Sequence, residues 1–224
     1  MTTTLSEPSA QVFETMRHAM LASQLRTNAV NDPRVVLAMG RIPRERFVPA
    51  DVRDFAYLDR QVPLGRGRHM NVPVSTGRLL TEAYLEPDDR VLLIGAAGGY
   101  TAAVLSEIVA HVVAVESDPA LVAIAREALA GYDGIDLVEG ELRAGAPDRG
   151  PYDVLIVDGA VEVVPDSLLA QLKPGARVTT GLVDQNVIRL ASGRRTPGGF
   201  GLVGFADMDC AALPGFERPR GFVF

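Results

Sequence analysis

The chain predicts an α/β fold whose mainly parallel sheet is covered on both faces, and three observations carry that prediction. From Asp89 onward, apolar runs of strand length alternate with helix-forming segments. The run Arg90–Ile94 closes on a glycine-rich corner, Gly95-Ala96-Ala97-Gly98-Gly99-Tyr100, and a second run, His111–Val115, closes on Glu116, 21 positions after Gly95. That spacing is one β-α-β unit with a carboxylate at the tip of its second strand, where it can bond both hydroxyls of a ribose. Finally, 224 residues with 47% apolar and 22% charged side chains can bury one substantial core.

Residues 1 to 9 read as a loose tail. Between Gln11 and Leu25, Val12, Met16, Met20 and Leu21 recur at helical spacing and predict a first helix. Asp32 is placed to cap a second helix that has Pro33 in its first turn, Val35, Val36, Ala38 and Met39 on its apolar face, and Gly40 at its end. A proline-bracketed segment, Ile42 to Pro49, and then Ala56-Tyr57-Leu58-Asp59 follow. Leu64 to Pro73 is rich in glycine and arginine and is expected to be a long, exposed loop ahead of a helix from about Ser75 to Leu85. Beyond it, strands are expected at Arg90–Ile94, His111–Val115, Ile135–Val138, Asp153–Val157 and Arg177–Leu182, with helices at Thr101–Ala110, Pro119–Ala130 and Pro165–Lys173. Alternating apolar residues in Asn186–Leu190 and Phe200–Asp207 predict an antiparallel hairpin at the sheet edge. In such a sheet ligands bind beyond the carboxyl ends of the strands, so Gly95, Glu116, Glu141 and Asp158 are expected to converge on one crevice.

A net charge of −6 gives no general basic footprint for nucleic acid. The single cysteine, Cys210, excludes an internal disulfide, and no Cys/His spacing suggests a metal site. The N-terminus has neither a basic segment nor an apolar one of the leader type, and no apolar run approaches bilayer length, so a cytoplasmic location is expected.

The corner itself narrows the ligand. A dinucleotide site uses G-x-G-x-x-G so that the backbone can approach a pyrophosphate. Counting from Gly95, Ala97 and Tyr100 occupy the other two glycine positions, which obstructs that approach. S-adenosylmethionine has no phosphate and still needs an acid for its ribose, so it suits the corner better; an ordinary strand-to-helix turn is the plainer alternative.

Several phrases then occur in order: Ile42-Pro43-Arg44-Glu45-Arg46-Phe47-Val48-Pro49, Ala56-Tyr57-Leu58-Asp59, Val62-Pro63-Leu64-Gly65, Gly99-Tyr100-Thr101-Ala102-Ala103-Val104-Leu105, Pro151-Tyr152-Asp153-Val154-Leu155-Ile156-Val157 and Gln171-Leu172-Lys173-Pro174-Gly175. Together they resemble protein-L-isoaspartate O-methyltransferases from about residue 20 to about residue 190. The resemblance implies a Rossmann-like, seven-stranded S-adenosylmethionine-dependent methyltransferase sheet, residues 76–224, behind an N-terminal helical and loop extension, residues 1–75, on the substrate side. It implies transfer of a methyl group from S-adenosylmethionine to an isoaspartyl carboxylate of a damaged protein, by a monomer or weak dimer. A carboxylate with a pKa near 4 is already ionised at neutral pH, so such a reaction needs positioning rather than a catalytic triad.

By the same resemblance, Gly95, Ala97, Gly99, Tyr100, Glu116, Glu141 and Asp158 fall at cofactor-binding positions, Asn71 at the catalytic one, and His69, Met70 and Val72 beside the substrate. The chain departs from the family at several of these. Asn71 stands where the family has a serine by the reacting carboxylate; its amide can donate to a carboxylate, and it is equally a turn residue. Leu93 replaces a glutamate near the cofactor's methionine portion, Ala97 replaces a glycine, and Glu141 replaces an aspartate that reaches the adenine. Asp158 either compensates by meeting the cofactor's ammonium group or caps the next helix, while Glu141 is otherwise a surface acid. His18 and His111 are read as packing or surface residues, and Cys210 has no partner that would make it a nucleophile. These departures keep two alternatives open: a different carboxylate acceptor, and a binding module that retains the fold without catalysis.

Overall fold

A computed structural model describes residues 10–185 and 187–218 of the 224. The expected loose tail (1–9), the first residue of the expected hairpin (Asn186) and the apolar ending (Gly221–Phe224) lie outside those residues. The chain opens with α1 (Ala10–Met20), which widens into a π turn at Leu21–Leu25, and continues with α2 (Pro33–Arg41). A short hairpin, β1 (Val62–Gly65) and β2 (Arg68–Met70), leads into α3 (Pro73–Glu82). Then come β3 (Arg90–Ile94), α4 (Tyr100–Ser106), β4 (His111–Glu116), α5 (Pro119–Ala128), β5 (Ile135–Glu139), β6 (Tyr152–Val161), α6 (Asp166–Leu169), β7 (Leu172–Asp184), β8 (Val187–Arg194) and β9 (Leu202–Asp207).

The main sheet has seven strands in the order β5-β4-β3-β6-β7-β8-β9. The first five run parallel, and β8 and β9 add an antiparallel edge, as the alternating pattern predicted. Strand order reverses between β3 and β6, which opens a crevice beyond their carboxyl ends. Side chains alternate across the sheet with period two. Val91, Leu93, Val112, Ala114, Val154 and Ile156 face a core that includes residues of α1 to α5. Leu92, Ile94, Val113, Val115, Leu155 and Val157 face a second core closed by Leu142, Leu168, Leu213 and Phe216. One face is therefore covered mainly by helices, the other by short α6, the loop after β5 and the C-terminal segment.

Several local expectations need correction. Val12 is 46% exposed, and α1 buries Phe13 in its place together with the expected Met20, because the helix meets the core along that line. Asp32 caps α2 through the Arg34 N–H at 2.8 Å, as expected, but Gly40 does not end the helix. It stays helical because Leu21 presses against its bare Cα, where a Cβ would lie 3.0 Å from Leu21 Cδ1. α3 starts at Pro73, two residues early, and α4 stops at Ser106. The expected helix to Lys173 is confined to Asp166–Leu169, because Leu172 pairs with Tyr152 and Lys173 reaches Asp153 at 2.8 Å, drawing the chain into β7. The segment from Leu64 to Pro73 is not an exposed loop. It is the β1–β2 hairpin, with Leu64, Arg68, Met70, Asn71 and Val72 buried and the turn made by Gly65, Arg66 and Gly67 at φ of 90°, 49° and 73°.

The N-terminal extension locks onto the glycine corner at one point. A Cβ on Gly98 would overlap the backbone carbonyl of Phe47, which sits in the short helical turn Arg44–Phe47. No side-chain adjustment relieves a clash with backbone, so Gly98→Ala is expected to cost about 2 kcal/mol or more and to lower the melting temperature by at least about 4 °C. Thermal unfolding followed by circular dichroism measures it; an unchanged midpoint would contradict this packing.

Candidate active site

Glu116 ends β4 with its side chain fully buried. Its Oε1 accepts from Arg68 Nη1 at 2.5 Å and from the Ser117 and Asp118 N–H groups at 2.8 and 2.9 Å. Its Oε2 accepts from Arg68 Nη2 at 2.9 Å and from the Ala97 N–H at 2.8 Å. The acid thus ties together the end of β4, the turn after it, the glycine corner and the hairpin. Ala97, at the bend, has φ of 51°, a left-handed conformation that costs an L-residue roughly 1–2 kcal/mol.

A second polar group gathers around Asp158, within β6. Asp158 accepts from Asn71 Nδ2 at 2.6 Å, from Thr76 Oγ1 at 3.2 Å and from Thr101 Oγ1. Asn71 is 2% exposed and uses both ends of its amide, since Oδ1 accepts from the Ala211 N–H at 2.6 Å. Behind it, Arg44 is completely buried. It donates to the carbonyls of Ala56, at 2.7 Å, and of Asn71, and its guanidinium carbon stands 4.7 Å from the centre of the Tyr100 ring. Desolvation pulls the Arg44 pKa below its ordinary value, opposed by the Tyr100 hydroxyl and the Asp158 carboxylate. The Tyr100 hydroxyl is itself pushed up to about 12 by burial. Neither Arg44 Nη1 nor the Tyr100 hydroxyl has a hydrogen-bond partner among the described residues.

His69, Met70, Asn71, Gly95, Ala96, Ala97, Gly98, Tyr100, Thr101 and Asp158 line one small hollow of about 10 Å³. The structure thus brings Asn71, Gly95, Ala97, Tyr100 and Asp158 together, with His69 exposed at the rim and Met70 buried. Gly99, at φ of 98°, caps α4, and Glu116 lies directly beneath Ala97. Val72 caps α3 and lines a separate cavity of about 420 Å³ with Asp59, Arg60, Ser75, Asp207 and Asp209. Glu141 is exposed beyond β5, where the neighbouring Gly140 N–H meets the Glu116 carbonyl at 3.0 Å, and it does not line the hollow. Leu93 is a core residue rather than a crevice residue. His18 is exposed, and His111 lies 3.2 Å from Asp136. Arg44, Arg68, Thr76, Thr101 and Leu213 are the residues sequence reasoning missed. Arg44 and Thr101 sit inside quoted phrases and Arg68 inside the glycine- and arginine-rich segment, but nothing local marks Arg68 or Leu213 as partners of the crevice.

The family model for protein-L-isoaspartate(D-aspartate) O-methyltransferase matches residues 16–194. The chain belongs to that family. A protein-L-isoaspartate O-methyltransferase 2 of Anaeromyxobacter sp. (strain Fw109-5) is 39% identical over 175 residues, 76% of this chain and 72% of the relative. Its counterpart in Rhodopseudomonas palustris (strain ATCC BAA-98 / CGA009) is 40% identical over 161 residues, covering 71% and 74%. Among solved structures, a protein-L-isoaspartate O-methyltransferase superposes with a TM-score of 0.75 at 23% identity over 91% of this chain and 66% of that one. A Plasmodium falciparum structure assigned to the same enzyme class, in complex with S-adenosyl-L-homocysteine, gives 0.73 at 15% identity over 88% and 97%. These two likenesses establish the seven-stranded methyltransferase fold.

Tested for its fit to an adenosyl group, the crevice of this family member falls short as it stands. Ligand pockets for such molecules run to roughly 300–1,000 Å³, against about 10 Å³ here. The carboxylate placed for the ribose already accepts five hydrogen bonds.

Cys210, behind this site, is almost completely buried, and desolvation raises its thiol pKa far above the ordinary 9.0. An unfolded thiol loses its proton near pH 9 while the folded one keeps it, so the folded state holds the extra proton and stability falls as pH rises from about 9. Below that pH the thiol is neutral in both states and contributes no slope. Urea unfolding between pH 8 and 10 is expected to show a loss approaching about 1.4 kcal/mol per pH unit that Cys210→Ala reduces. An identical slope in the variant would refute this assignment.

Proposed function

We propose that this protein methylates the side-chain carboxylate of isoaspartyl residues in damaged proteins or peptides, and that its own residues act by positioning rather than by proton transfer. It is a methyltransferase of the protein-L-isoaspartate family, whose methyl donor is S-adenosylmethionine. The observation that carries the reading is the family match across residues 16–194, which runs through the hairpin, the glycine corner, Glu116 and Asp158.

What the chain's residues contribute follows from their chemistry. Asn71 offers an amide donor at the bottom of the crevice, beside Thr76 and Thr101, a set that already holds one carboxylate, that of Asp158. An acceptor carboxylate is ionised at neutral pH, so donors of this kind can orient it without a base. Arg44, dry and stacked on Tyr100, supplies a fixed positive charge behind Asn71 that favours an anion there. Holding reacting groups in line is worth on the order of 7 kcal/mol, which is where catalysis without a titrating triad must come from. The net charge of −6 favours protein over nucleic-acid acceptors, and a cytoplasmic location and a monomer or weak dimer complete the reading. Among the described residues no helix is long and apolar enough to cross a membrane.

Incubation with radiolabelled S-adenosylmethionine and an isoaspartyl peptide is expected to give a base-labile methyl ester, with none on the matching aspartyl peptide. Absence of ester on both would reject the activity. Asn71→Ala is expected to lower kcat/KM at least tenfold, consistent with loss of one hydrogen bond to a charged group at about 1.5–3 kcal/mol. A label retained by the variant at full rate would remove Asn71 from the site.

A further inference from the structure

The mismatch between this crevice and an adenosyl group has a specific cause in the chain, and it rests on the methyltransferase reading above. Two segments remote in sequence occupy the space beyond β3, β4 and β6. From the hairpin, Arg68 lays Nη1 and Nη2 of its guanidinium on Glu116 at 2.5 and 2.9 Å, and only 6% of Arg68 is exposed. With two backbone-facing donors on Oε1 and one on Oε2 besides, the carboxylate has no lone pair to offer a ribose hydroxyl.

From the C-terminal side, Leu213 sits against the bare backbone of both glycines at the strand ends. A Cβ on Gly95 would lie 2.9 Å from Leu213 Cδ1, and one on Gly159 would overlap the Leu213 side chain. The segment is strapped along the end of β6. Ala160 donates to the Ala211 carbonyl at 2.7 Å, and Leu213 donates back to the Ala160 carbonyl at 3.0 Å. Asn71 Oδ1 takes the Ala211 N–H, Ser75 Oγ donates to the Asp209 carbonyl at 2.5 Å, and Phe216 is buried in the core below.

Outside these two segments lies an open hollow of about 300 Å³ lined by Arg66, Arg68, Ser117, Asp118, Pro119 and Pro214. Its walls are thus the residues next to Glu116 on one side and the residue next to Leu213 on the other. The space for an adenosyl group is present but divided, with Arg68 and the strap standing between the hollow and the glycine corner.

We propose that Arg68 and the strap Asp209–Phe216 form an internal plug of the cofactor crevice, so that S-adenosylmethionine or its product binds only as both are displaced. Arg68 competes with the ribose for Glu116, and Leu213 competes with the cofactor for the hollow over Gly95 and Gly159. The device makes cofactor affinity a property of the hairpin and the C-terminal segment rather than of the crevice alone.

Calorimetric titration of the full chain with S-adenosylhomocysteine tests it. Leu213→Ala and Arg68→Ala are each expected to bind at least tenfold more tightly than the wild type. Equal or weaker binding by both variants, including no binding at all, overturns the plug. A second readout needs no variant: saturating S-adenosylhomocysteine is expected to speed amide hydrogen exchange at Leu213 in the wild type at least tenfold, because its bond to Ala160 opens. Unchanged or slower exchange at that amide with ligand bound overturns the plug as well. The functional reading fails separately: tight wild-type binding with normal peptide methylation refutes only the plug, whereas no ester and no binding by any form refutes both.

Discussion

The buried carboxylate of Glu116 is the constraint around which the molecule is arranged. A charge removed from water must be repaid by close partners, and leaving such a group unpaired costs about 3–5 kcal/mol. Here the partners come from three places: the corner after β3, the turn after β4 at two amides, and the hairpin through Arg68. Satisfying one acid therefore fixes the bend of the corner, the entry into α5 and the docking of a segment some fifty positions earlier in the chain. The left-handed backbone of Ala97 accompanies it, with the Ala97 N–H aimed at Oε2.

A second set of buried polar groups does for the other half of the crevice what Glu116 does for the first. Asn71 joins Asp158 on β6 to the backbone of Ala211, and Arg44 joins the N-terminal extension to the Asn71 carbonyl and the Tyr100 ring. In this way the N-terminal segment, the central sheet and the C-terminal strap meet at one asparagine. The groups suited to a cofactor ribose and an acceptor carboxylate are satisfied by the protein's own arginine and aspartate. A site of this kind is stable when closed, because each internal partner removes the penalty of an unsatisfied buried group. Opening it exchanges those partners for ligand atoms of similar chemistry.

The centre of the parallel core was legible because β3, β4 and β6 are buried on both faces and so read as apolar runs. Arg90–Ile94 was read to the residue, and His111–Val115 and Ile135–Val138 each to within one position at the C-terminal end. Errors arose where a tertiary partner overruled the local pattern. Gly40 reads as a helix stop until Leu21 is seen against it, and Lys173 reads as helical until Asp153 and the β6 edge are placed beside it. The hairpin was missed because its buried residues include an arginine and an asparagine, which composition assigns to solvent. The spacing from Gly95 located Glu116, and the resemblance located Asn71 and Asp158, but no spacing rule connects Arg68 to Glu116 or Leu213 to Gly95.

The sequence by itself determined the alternation of strands and helices, the strand ends that carry Gly95 and Glu116, and the family, because these depend on periodicity and on short motifs whose residues are neighbours in the chain. Only the tertiary structure decided what fills that crevice. Arg68 and Leu213 reach it from 48 positions before Glu116 and 118 positions after Gly95. Contacts at such separations are set by how the hairpin and the C-terminal segment fold back over the strand ends, a property of the packed whole that local patterns do not encode.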